Sequence, residues 1–292
     1  MFDIQAEITN RIIAELEKGN IPWQKPWFGA GNAIKRSNGE AYSLLNEMLL
    51  GGPGEYASFK QIQEAGGKVR KGAKGRMVVF WKMLRVEDKD THEEKIIPLL
   101  KYSTVFRIGD DTENIAPKYY TAEGSTKAHA EPIEAAQAAL DAYIQRSGVS
   151  FQNVPGDEAY YSPARDLISL PEMKQFRHGD EYYSTAFHEA VHSTGHKSRL
   201  NRFNDGSPAH FGSETYSKEE LVAELGSASI LNALGIESAD TFRNSAAYIQ
   251  SWLGALRHDK TMLVSASSRA QKAVNLILGA GSQDAAPEAA EA

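Results

Sequence analysis

His188-Glu189-Ala190-Val191-His192 is the stretch that decides how the second half of this chain is read. Two histidines four residues apart on an α-helix lie roughly 40° apart around its axis, so both imidazoles can reach one ion. Glu189 stands beside them, where a carboxylate can polarise a metal-held water. With 8 His and 25 Glu in 292 residues, only roughly 0.02 such motifs are expected by chance. Phe187, Ala190 and Val191 are apolar and Tyr182-Tyr183 precede them, so the helix is at least half buried. Buried His and Glu need partners. The segment therefore reads as a metal-binding helix with His188 and His192 as ligands and Glu189 as the catalytic base.

A catalytic zinc usually takes a third protein ligand. The candidates downstream are His196, His210, Glu220 and Glu224. His196 follows Gly195, which can end the helix. Ser217-x-x-Glu220 is also a capping box, which would turn Glu220 back on its own helix. Glu224 sits between Leu221, Leu225 and Ala228 on an apolar stripe and wants a cation or donor. Glu220 and Glu224 are one turn apart on one face, so one can ligate while the other orients a histidine. Spacing alone leaves the pair open.

Working outward, residues 181–195, 217–234, 240–256 and 259–278 read as helices, as does Pro132 to Arg146. Leu167-Ile168-Ser169-Leu170 reads as a strand. Residues 109–131 are acid-, Pro- and Gly-containing without clean periodicity and read as a linker. Residues 281–292, rich in Ala and Glu, read as a disordered tail. Before the linker, helices are expected at 3–18, 41–50 and 59–65, and strands at Met77–Leu84 and Lys101–Ile108. The expectation is an α+β chain of two domains: 1–125, then a mostly helical metal domain at 132–280.

The composition narrows the function. The absence of cysteine excludes a disulfide scaffold, a Cys zinc ribbon, an iron–sulfur cluster and a thiol nucleophile. It also suits a reducing cytoplasm. No apolar run approaches the ~20 residues of a membrane span, and Met1 to Glu7 lacks the basic start of a signal peptide. A cytoplasmic protein with no membrane partner is expected. The net charge of −6 hides an asymmetry. Residues 1–127 hold 19 basic and 17 acidic side chains, whereas the remainder holds 13 and 21.

Lys68, Arg70, Lys71, Lys74 and Arg76 alternate with glycines, which lets backbone amides approach phosphates. Trp23, Trp27 and Trp81 lie in the same half, with Lys25 between the first two. Positive grooves with aromatic platforms hold single strands. The bland alternative is that the tryptophans are core and the basic loop is a solvated turn.

The Glu220-x-x-x-Glu224 arrangement after the histidine motif resembles the glutamate-type zincins and the related bacterial regulatory metallopeptidases. That resemblance implies Glu220 as third ligand and Glu224 behind a ligating histidine. Over roughly residues 5–235 the chain resembles the ArdC antirestriction family. The residues that carry this are Ile21 to Trp27, Tyr42 to Asn46, Phe59-Lys60-Gln61, Gly67 to Gly72, Val78 to Trp81, Tyr161 to Asp166, His188 to His196, Arg199-Leu200 and Glu219 to Leu225. Departures are Tyr42-Ser43-Leu44-Leu45-Asn46 where Tyr-Arg-Gly-x-Asn is common, Ser193 where Trp is common, and Arg107-Ile108-Gly109-Asp110 where Asn-x-x-Gln is usual. The resemblance implies sequence-independent binding of single-stranded DNA and protection of incoming plasmid DNA during conjugation. It also implies a metallopeptidase-like domain. One divalent ion is expected, Zn²⁺ first, with Mn²⁺ or another ion also open because His/His/Glu suits several. Two other functions fit the residues: a peptidase that cleaves a host restriction-system or other protein, and a metal that only holds the fold.

Overall fold

The computed structural model describes residues 3–24, 28, 33–87, 94–120, 132–176, 178–203, 214–236 and 245–280. Lys25, Trp27, His210, part of the expected linker and the 281–292 tail lie outside them.

The first half opens with α1 (Ile4–Glu17), whose N-terminus is capped by the Asp3 side chain accepting from the Ala6 amide. Its Ile8, Ile12, Ile13 and Leu16 are all buried. After β1 (Ile34–Arg36), α2 (Leu44–Leu50) ends at Gly51, whose φ of 67° is the left-handed conformation glycine tolerates. The strand β2 (Gly54–Ser58) follows, then α3 (Phe59–Glu64) behind a capping box of Ser58 and Gln61. Next come β3 (Lys68–Val69) and the long antiparallel hairpin of β4 (Arg76–Glu87) and β5 (Glu94–Arg107). These strands form a sheet in the order β1-β2-β5-β4, and β3 pairs with β6 (Thr112–Glu113). The hairpin is longer than the hydrophobic pattern predicts because its outer residues, such as Ile96 and Ile97, are apolar yet exposed.

The second half begins with α4 (Pro132–Ser147), followed by β7 (Ser150–Val154), β8 (Tyr160–Ser162) and β9 (Leu167–Pro171) in the order β7-β9-β8. Among the described residues four helices follow: α5 (Gly179–Ser193), α6 (Glu214–Ala233), α7 (Ser245–His258) and α8 (Met262–Leu278). Helices α5 and α6 pack closely at Gly226, where an added Cβ would stand 2.8 Å from Val191 Cγ2.

The two halves share a core. One cluster of buried apolar residues contains Ile8, Ile12, Leu16 and Trp23 together with Phe187, Leu221, Trp252 and Leu263. Trp23 is fully buried, with its ring edge-on to Trp252 at 5.1 Å. Hydrogen bonds cross the same seam: Thr9 Oγ1 donates to the Lys260 carbonyl at 2.8 Å, and Asn232 Nδ2 to the Phe28 carbonyl at 3.0 Å. The expectation that Trp23 offers a face to bases is therefore corrected, because a stacking platform must reach solvent. Among the described residues, no helix is long and apolar enough to cross a membrane.

Candidate metal centre and nucleic-acid surface

The histidines project from α5 and the carboxylates from α6, at the level where Gly226 lets the helices close. The Nε2 atoms of His188 and His192 are 3.1 Å apart. Glu220 Oε2 lies 3.4 Å from His188 Nε2, and its Oε1 lies 3.3 Å from His192 Nε2. A tetrahedral ion with bonds of 2.0–2.1 Å spaces its ligand atoms about 3.3 Å apart. The three side chains fit that requirement. Their exposures of 14–21% leave one side of the group open. Glu189 is buried on α5, and its charge acts on both imidazoles.

The capping-box reading of Glu220 is overturned. The helix starts at Glu214, so Ser217 is already inside it and Glu220 is released toward α5. Burial opposes its charge, yet the two histidines hold its carboxyl well below the usual range. Burial likewise opposes charge on His192, but hydrogen bonds to Glu219 and Glu220 push it up to about 10. Glu224 is deeper. Its Oε1 is 3.9 Å from His188 Nδ1, its Oε2 is buried without a hydrogen-bond partner, and burial pushes it up to about 7.

His196 is not in this group. Helix α5 ends at Ser193, and the His196 ring turns to Ser198, with Nδ1 2.7 Å from Oγ. The Tyr183 hydroxyl, a conceivable oxyanion donor, donates to Gln137 instead. Sequence reading missed Glu219, whose Oε1 is 3.5 Å from His192 Nδ1, and Arg202, which binds Glu219. The doubled acid Glu219-Glu220 was the available signal. Asp166, at φ 47°, pairs with Arg199 and accepts from the Tyr161 hydroxyl, so it braces the turn after α5.

In the first half, Lys68, Arg70, Lys71 and Lys74 are exposed. Arg76 is a correction: its guanidinium is 2.6 Å from Asp111 and lies over the Tyr56 ring, so it is occupied within the fold. Trp81 is 38% exposed on β4, Tyr102 is exposed on the paired β5, and Phe59 is exposed at the start of α3.

A histidine pair and a glutamate on two packed helices, beside a small sheet, define a zincin-like metallopeptidase domain. The chain matches the family described as zincin-like metallopeptidase over residues 138–269. Over residues 2–106 it matches the N-terminal domain of anti-restriction factor ArdC. It is similar to the crystal structures of antirestriction protein ArdC from plasmid R388. The metal-free form shares 39% identity over 94% of this chain and 97% of that one, with a TM-score of 0.73. The Mn(II)-bound form shares 36% over 97% and 99%, with a TM-score of 0.74. A DNA primase TraC of Escherichia coli is 35% identical over 93% of this chain, which spans only 19% of that protein's length. The chain belongs to the ArdC antirestriction family.

Proposed function

We propose that this protein binds single-stranded DNA through its first half, without sequence choice, and protects incoming plasmid DNA from restriction in the cytoplasm. The observation that carries this is the exposed basic turn Lys68–Lys74 leading into a hairpin that displays Trp81 and Tyr102. Phosphates meet the cations, and bases meet the rings. The Lys25 and Trp27 contacts expected from the sequence belong to the same proposal. The test is fluorescence anisotropy of labelled single-stranded and duplex DNA of equal length at low and moderate salt. Tight, salt-weakened preference for the single strand supports the reading, whereas equal weakness on both sinks it.

In the second half, His188, His192 and Glu220 would hold one divalent ion, Zn²⁺ or Mn²⁺. When bound, such an ion supplies a Lewis acid for a scissile carbonyl. Glu189 takes a proton from the attacking water and returns it to the leaving amide nitrogen. Glu224 packs behind His188. A second reading, peptidase action on a host restriction-system or other protein, is favoured by the open side of the group, since purely structural sites are closed. Glu189→Ala separates the readings. If antirestriction survives it while ion binding is kept, cleavage is not the means of protection.

A further inference from the structure

Arg202 is buried at 5% side-chain exposure, in the turn that follows α5. Each of its guanidinium nitrogens has a partner. Nη2 donates to the Val191 carbonyl at 2.8 Å and to Glu219 Oε1 at 2.6 Å, and Nε donates to Glu219 Oε2 at 3.2 Å. Nη1 donates to Thr194 Oγ1 at 2.5 Å. The turn is itself fastened, since the Arg202 amide donates to the Gly195 carbonyl at 2.8 Å. Arg202 thus grips the last turn of α5 with some donors and clamps an α6 carboxylate with the others. A fork on both carboxylate oxygens fixes that group's plane as well as its position.

The carboxylate so fixed faces His192. A neutral imidazole that offers Nε2 to an ion must carry its proton on Nδ1, and that proton needs an acceptor. Glu219 Oε1 is 3.5 Å from His192 Nδ1. The corresponding carboxylate behind His188, Glu224, is 3.9 Å away, and its Oε2 has no hydrogen-bond partner among the described residues. We infer that Glu219, locked by Arg202, is the positioning residue that sets the ring and tautomer of His192. On this view the turn after α5 is part of the metal centre. The inference rests on the metal reading of His188, His192 and Glu220.

The experiment is titration of the full chain with Mn²⁺ by calorimetry, and with Co²⁺ by its visible spectrum. The variants are Arg202→Ala, Glu219→Ala and the double variant, each checked by circular dichroism and melting without metal. Either single change should weaken Mn²⁺ binding about 10- to 100-fold and alter the Co²⁺ bands. The double variant should bind no more weakly than the worse single, because Arg202 acts through Glu219. Losses that multiply in the double variant, or an Arg202→Ala chain that binds within about twofold of the parent, overturn the inference. If Arg202→Ala does not fold, Arg202→Gln keeps neutral bonds to Val191 and Thr194 while releasing the clamp, and the same outcomes apply. A parent chain that takes up neither ion overturns the metal reading, and this inference with it. Uptake by the parent with unchanged variants overturns this inference alone.

Discussion

Glu220 Oε1 stands 3.3 Å from His192 Nε2, although the two residues lie on different helices. They meet because Gly226 has no side chain where α6 presses on Val191. Gly226→Ala places a methyl 2.8 Å from a valine carbon. Such overpacking costs about 1–3 kcal/mol, and here it also pries the carboxylate from the imidazoles. Thermal melting and Mn²⁺ titration should both show losses. A variant with parental ion affinity would mean that the helices adjust without moving the site.

Without an ion, the carboxylates around the two imidazoles favour their protonated forms. Burial disfavours charge on His192, but Glu219 and Glu220 outweigh it and raise its pKa from 6.5 to about 10; His188 is raised as well. A ligating imidazole must be neutral, so ion uptake expels protons. Apparent Mn²⁺ affinity should rise with pH from 6 to 8, by up to about tenfold per unit for each proton released. The ion-free stability has the opposite sign. The histidine contribution is complete below 6.5 and fades as pH climbs toward about 10. Flat affinity across that range would contradict the proton count.

Glu189→Gln should leave Mn²⁺ affinity within a few-fold of the parent, because Glu189 is not among the three clustered donors. Any peptide hydrolysis should fall by roughly 10²–10⁴. DNA anisotropy should not change, and a parallel loss there would point to misfolding.

Two tryptophans should behave oppositely. Trp23→Ala empties a fully buried site beside Trp252 and should cost about 3–5 kcal/mol. Trp81→Ala should cost under about 1 kcal/mol of stability yet remove about 1–3 kcal/mol of single-strand affinity. Urea melts and anisotropy on the same preparations distinguish them.

The turn cations have their own signature. Lys68→Ala, Lys71→Ala and Lys74→Ala should each lower the slope of log affinity against log salt by about 0.7 on single strands. Arg76→Ala should instead act through stability, since it gives up the Asp111 pair. An unchanged slope in the lysine variants would move the phosphate track elsewhere.

The metal helix was the most legible part of the sequence, because a fixed four-residue spacing on a helix determines where two side chains point. The helix expected at 59–65 was equally plain, and its start is local chemistry, a capping box of Ser58 and Gln61. What the sequence hid was tertiary. Ser217-x-x-Glu220 has the form of a helix start, but α6 begins one turn earlier and cancels it. Trp23 carries the same signature in a loop whether it faces DNA or a core, and only the position of α7 decides. Arg202 and Glu219 sit on separate segments, and no periodicity connects them. The outer hairpin escaped detection because apolar residues on both faces erase the alternation that marks a strand.

Ile8, Ile12 and Leu16 give their apolar faces to a core shared with the second half. A fragment cut at residue 125 would bare that stripe to water. The line between the two matched families, after residue 106 and before residue 138, is thus not a place where the protein can be divided. Inheritance agrees with mechanics here. In the much longer primase, 93% of this chain recurs as one continuous block rather than as either half alone.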